Sequence, residues 1–162
     1  MKKTASMLIT LLFVVGAIAV PANAANLARF NGGVGVIPTG SANTTVRAVL
    51  PAGQIWVIRE LSAVVKDDGG ISVVGRGLLL GSGNGVGSNA NNAKVFATLM
   101  CANDGNVQHS SSNTPGVQLA PNGDFVIDEA LSPAPPSTCD SPVLLIRNAG
   151  NGGWFAAGLP GN

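Results

Sequence analysis

The clearest pattern in this chain runs from Ile55 to Leu80, where apolar and polar positions alternate two by two. Leu61, Ala63 and Val65 interleave with Glu60, Ser62, Val64 and Lys66. Alternate residues of a strand face opposite ways, so this spacing gives one apolar and one mostly polar face. Asp67, Asp68, Gly69 and Gly70 follow, residue types that tolerate the positive φ of a tight hairpin turn. Ile71, Val73, Gly75, Gly77 and Leu79 then form one face of a returning strand. Glycines at inward positions 75 and 77 predict close backbone approach or a bulge. A helix is excluded because it would carry four glycines between residues 69 and 77.

The same reading extends along the chain. A short apolar piece surrounds Val34–Ile37, and a strand is expected at Thr45–Leu50. Residues 81–92, mostly Gly, Ser and Asn, predict an exposed loop with little to bury. Lys94–Ala102 is a strand with Val95, Ala97, Leu99 and Cys101 on one face, and Asn103–Asn106 is a turn. Val117–Leu119 and Asp124–Asp128 are short strands, the second turning Phe125 and Ile127 inward. Residues 129–142 read as an extended Pro-rich connection. Val143–Ile146 is apolar on both faces, which predicts a central strand, and Trp154–Leu159 is the last. About eight short strands without helical spacing predict an all-β, single-domain antiparallel β-sandwich of jelly-roll type over residues 25–162.

Lys2–Lys3, an apolar run from Met7 to Val20 and the sequence PANA ending at Ala24 have the form of a secretory signal peptide cleaved after Ala24. The apolar run is shorter than the roughly 20 residues that span a bilayer. No membrane span is therefore expected in the mature chain, and no cysteine near Ala24 offers a lipid anchor. The expected location is periplasmic or extracellular, with a bacterial style of leader. Lys2 and Lys3 leave with it, so of nine basic residues seven remain against eight acids. That balance predicts no nucleic-acid partner. Charged residues are only 10% of the chain but apolar ones 46%, which excludes a disordered polymer.

Cys101 and Cys139 are the only cysteines. Their spacing matches no CxxC metal or redox motif, so a structural disulfide is expected.

Candidate chemistry is sparse. His109 is the only histidine, no tyrosine occurs, and no G-x-S-x-G elbow is present. The expectation for His109 is a solvated loop histidine. Asp124 and Asp128 share a strand face but stand about 13 Å apart by strand rise, beyond the reach of a glycosidase pair. Gly32–Gly35 opens like a calcium β-helix repeat, yet Ile37 occupies the Asp position. Asp104–Asn106 is too short for an EF-hand loop. No cofactor is expected, with a calcium ion held across loops left open. The glycines at 81–87 match neither a dinucleotide fingerprint nor a P-loop. Asn43 heads a glycosylation pattern that a bacterial-style leader argues against using. Trp56, Trp154 and His109 are the candidate ligand contacts, since an exposed Trp stacks on a sugar ring. The alternative for both tryptophans is to cap the ends of the core. Arg59 is expected to snorkel or to pair across a strand.

The strings at 56–59 (WVIR), 75–80 (GRGLLL), 132–136 (SPAPP) and 142–147 (PVLLIR) resemble those of small exported bacterial proteins of unknown function. The resemblance implies an exported single domain and carries over no activity, ligand or site residue.

The function expected from these features is a non-catalytic exported module that binds a glycan, an envelope component or a protein partner. Two alternatives stand beside it: a small secreted hydrolase whose carboxylates converge only in space, and a self-assembling structural protein. Oligomeric state is left open. The working surface is expected on the loops after Leu80 and at 103–113 rather than on the hairpin.

Overall fold

The computed structural model describes residues 24–39, 45–112 and 115–161. The leader up to residue 23 and the glycosylation pattern at Asn43 lie outside the described residues. The described chain is all-β, with a single three-residue 3-10 turn at Ala102–Asp104.

The hairpin forms, and it is longer than either of its sheets alone. Strands β3 (Glu60–Lys66) and β4 (Gly70–Arg76) pair antiparallel with Ala63 opposite Val73. Beyond them β2 (Trp56–Val57) and β5 (Leu79–Leu80) pair as a second small ladder, Trp56 opposite Leu80. The phase breaks at Gly77, whose φ of 65° only glycine adopts cheaply. From there Leu78 and Leu80 turn inward, whereas unbroken alternation would have buried Leu79. Gly75 is explained by space: a Cβ there would sit 2.1 Å from the Phe125 ring.

The remaining strands are β1 (Asn26–Gly35), β6 (Lys94–Met100), β7 (His109–Ser111), β8 (Val117–Gln118), β9 (Phe125–Ser132), β10 (Val143–Asn148) and β11 (Trp154–Pro160). The sheet runs β10-β11-β1-β3-β4-β9-β7-β6, the short β8 adds to β6 with Gln118 opposite Lys94, and β6 also pairs with β10. That last pairing runs from Val143 opposite Met100 to Asn148 opposite Val95. An eight-stranded antiparallel sheet is thereby closed on itself. The expected sandwich of jelly-roll type is corrected to a barrel. Alternation shows which side chains point inward; it does not show whether the inward face meets a second sheet or its own far wall.

Inward residues fill the lumen. Phe30, Val65, Val73, Val95, Leu99, Ile127, Leu144 and Ile146 are all fully buried. Each such side chain contributes about 1.5–3 kcal/mol of apolar burial. The outward rows carry Glu60, Lys66, Arg76 and Asp128, not the apolar band of a transmembrane barrel. No described helix is long and apolar enough to cross a membrane.

Three elements differ from expectation. β9 runs on to Ser132, so residues 129–132, expected in the Pro-rich connection, pair instead with β4 and β7; the prolines themselves begin only at Pro133. β1, with its Asn and Gly residues, gives little strand signal in sequence, yet it joins β3 on one side and β11 on the other. A register shift between Phe30 and Gly33 interrupts its alternation. The strand expected at Thr45–Leu50 is instead a tight reversal. Val46 and Val49 exchange two backbone hydrogen bonds, of 3.0 and 2.8 Å, around Arg47 and Ala48. Those two residues have φ of 44° and 65°, the left-handed pair of a type I′ turn. Residues 45–52 then lie across the wall: Arg47 donates to the carbonyls of Met100 and Ser141, and Leu50 and Ala52 hydrogen-bond Trp154. Met100 and Leu145, on the side of the wall away from the lumen, are fully buried. That cover is why β10 reads as apolar on both faces.

Candidate functional site

Most polar groups of chemical interest gather where β6 ends. The chain leaves β6 at Cys101, makes the 3-10 turn through Asp104, and enters β7 at His109. Cys101 and Cys139 form the expected disulfide, with Cα atoms 5.0 Å apart. By loop-closure entropy it stabilises the fold by about 4 kcal/mol. Asn103 adds a second tie. Its Nδ2 donates to the Thr138 carbonyl at 2.8 Å, and its Oδ1 accepts the Asp140 N–H at 3.0 Å. The Ala102 N–H donates to the Asp140 carbonyl at 2.8 Å, a third.

His109 is not a solvated loop histidine. It is 3% exposed and lies opposite Leu99 in the β6–β7 pair. Its Nδ1 meets the Pro133 carbonyl at 2.9 Å and its Nε2 meets Asp104 Oδ2 at 2.6 Å. The hydrogen bond from His109 pulls the Asp104 carboxyl below the usual carboxylate range; desolvation opposes this, and the Val107 N–H adds to it. Each ring nitrogen thus faces an oxygen of a neighbouring segment, a backbone carbonyl on one side and a carboxylate on the other. Neither of these partners is a serine hydroxyl. The neighbouring hydroxyls are engaged as well: Ser110 Oγ with Thr98 Oγ1 at 3.0 Å, and Ser111 Oγ with the Ala97 N–H at 3.2 Å. The cluster ties the 3-10 turn and the 133–140 connection to the barrel rim; its geometry is that of a structural clasp.

The other candidate contacts are also buried. Trp56 is 4% exposed and stacks on Phe155, ring centroids 3.9 Å apart at 26°. Trp154 is 7% exposed at the start of β11, where the 45–52 segment crosses. Neither presents an open ring face to a sugar. Comparison with protein-family models, with curated proteins and with solved structures finds no match for this chain. The site has to be read from its own geometry.

Several surface concavities are formed by the described residues, and two of them bear on function. A shallow groove of about 450 Å³ runs over the outer face of β1, β3 and β4, lined by Asn31, Arg59, Glu60, Ser62, Val74 and Arg76 among others. Each of its arginines has a carboxylate neighbour. Glu60 stands 3.8 Å from Arg59 and 3.5 Å from Arg76, and Arg76 is 3.8 Å from Asp124. Arg59 thus pairs with its chain neighbour and Arg76 across the strand pair. Asp124 also accepts the Gly77 N–H at 3.0 Å, which ties the phase break in the hairpin to the start of β9. The second concavity, about 340 Å³, lies beside Arg147 near the 148–153 turn. Sequence reasoning passed over Arg147, whose only signal is a charge at the end of an otherwise apolar strand.

The expected loop surface at 81–92 is partly a structural element. Asn89 is buried and donates to the carbonyls of Leu119 and Ala120, both at 3.1 Å. Leu80 exchanges backbone hydrogen bonds with Gly87 and Ser88. Among the described residues no group of three or more His, Cys, Asp and Glu side chains is placed to hold a metal.

Proposed function

We propose that this chain is an exported, non-catalytic binding module whose working face is the outer surface of the β3–β4 hairpin, and whose ligand is a glycan. The observation that carries the reading is the groove over β1, β3 and β4. It has about 450 Å³ against 340 Å³ for the cleft beside Arg147, and its rim mixes amide, hydroxyl, carboxylate and guanidinium groups with the apolar Val74. With the lumen filled by side chains, a ligand has to be met from outside. A sugar offers many hydroxyls, which suit a rim of donors and acceptors where both arginines already have a carboxylate neighbour. Export rests on the leader pattern before Ala25, and the disulfide agrees with an oxidising compartment.

Glycan arrays and envelope fractions probed with the purified chain Ala25–Asn162 test this. The expected outcome is retention that weakens in the Arg59→Ala/Arg76→Ala double variant, with its unfolding midpoint little changed. Arrays and fractions that come back empty sink the proposal. Cell fractionation with N-terminal sequencing tests export separately, with Ala25 as the expected first residue.

A further inference from the structure

Arg147 differs from the two arginines of the hairpin groove in having no carboxylate beside it among the described residues. Its Nε donates to the Gly152 carbonyl at 2.7 Å, and its Nη1 donates to Gln108 Oε1 at 2.7 Å and approaches Thr98 Oγ1 at 3.4 Å. The guanidinium lies 5.0 Å from the centre of the Phe96 ring. Every one of these partners is neutral. A guanidinium has five N–H donors, and those on Nη2 have no hydrogen-bond partner among the described residues. Gly152 passes close to that nitrogen: a Cβ there would lie 3.0 Å from Nη2, so a glycine leaves that side uncovered.

The 340 Å³ cleft opens between the 148–153 turn and the segment at 48–51. Arg147 is its single charged residue; Leu50 and Pro51 form an apolar flank, and Asn151 stands at the turn. Partial burial works against the guanidinium's charge, lowering the arginine from its ordinary value. A partly desolvated cation without a counter-charge gains more from an incoming anion than an exposed, paired one does.

We propose that this cleft binds a carboxylate group, taken end-on by Arg147 Nη2, with Leu50 and Pro51 against the apolar part of the ligand. Either a free carboxylic acid or the carboxylate of an acidic sugar supplies that chemistry. The site is separate from the hairpin groove and does not rest on the glycan reading given above.

The test is an NMR titration of the ¹⁵N-labelled chain Ala25–Asn162 with acetate, glucuronate and glucose at low salt. The expected result is saturable shifts at Arg147, Gly152 and Gly153 with acetate or glucuronate, and none there with glucose. Acetate matching glucuronate assigns the site to any carboxylate; glucuronate alone assigns it to an acidic sugar. Asn151→Asp puts a negative charge at the rim and keeps the oxygen that accepts the Gly153 N–H. It should weaken binding on the order of tenfold, and added salt should weaken it too. Arg147→Lys should weaken binding further if it folds; Asn151→Asp carries the test if it does not. Equal shifts with glucose at these residues, unchanged affinity in Asn151→Asp, or no carboxylate-induced shift at the 147–153 positions overturns the proposal. Glucose shifts confined to the hairpin groove would support the glycan reading and leave this one to the carboxylate arms.

Discussion

The β3–β4 hairpin and the β6–β10 pair belong to one barrel but solve different problems. The hairpin has one wet face: Leu61, Ala63, Ile71 and Val73 are buried while Glu60, Ser62, Ser72 and Arg76 are exposed. In β6 and β10 both faces are dry, because residues 45–52 lie over the outside; Leu144, Leu145 and Ile146 are all fully buried. Charge follows the same division. On the hairpin Arg59, Glu60 and Arg76 sit in water, and each such pair contributes at most about 1 kcal/mol. Near β6 and β10 the polar groups are more committed: Asp104 to His109, and Arg147 to neutral oxygens. A position pointing away from the lumen therefore has no fixed energetic meaning. What covers it decides.

The disulfide belongs to the dry side, and its loss should have the largest effect. The Cys101→Ser/Cys139→Ser variant should lose about 4 kcal/mol in urea unfolding. A loss under 1 kcal/mol would mean that Asn103 and the His109 clasp hold the turn without it. Next comes a matched pair of outward residues, one from each region. Leu145→Ala should cost about 3 kcal/mol. Val74→Ala, on the wet face of the hairpin, should stay within about 0.5 kcal/mol. Equal costs would break the contrast between the two regions.

A smaller, pH-dependent effect is expected from Asp104. Its pKa in the fold lies below the usual carboxylate range. Its stabilisation is therefore present above that range and lost as pH falls through the lowered value. Unfolding midpoints measured downward from about pH 5 should fall more steeply for the native chain than for Asp104→Asn. Parallel curves would show that the bond to His109 contributes nothing to folding. The smallest effect belongs to the hairpin's surface charges: Glu60→Gln should shift stability by under about 1 kcal/mol, less still in high salt.

How much of this was legible beforehand follows from the same contrast. Alternation and the Asp-Asp-Gly-Gly turn sufficed for the hairpin, since a strand with one wet face writes its orientation into its residues. The disulfide could be expected from two cysteines and a leader. β1 was hidden because a bulge and glycines interrupt its period. The reversal at Val46–Val49 was hidden because Arg47 and Ala48 adopt left-handed angles that their residue types do not advertise. His109 could not be placed either: its partners are Asp104, across a turn, and Pro133, a carbonyl that any residue type would supply.

The sequence by itself determined that this protein is all-β, that its central hairpin lies at Ile55–Leu80, and which alternate residues of Glu60–Gly75 point inward. Only the tertiary structure decided that the sheet closes on itself through β6 and β10, that His109 and both tryptophans are buried, and that Arg147 lacks a carboxylate partner among the described residues. The first set follows from local periodicity, which each strand carries alone. The second depends on which segment lies against which, and that is settled between residues far apart in the chain.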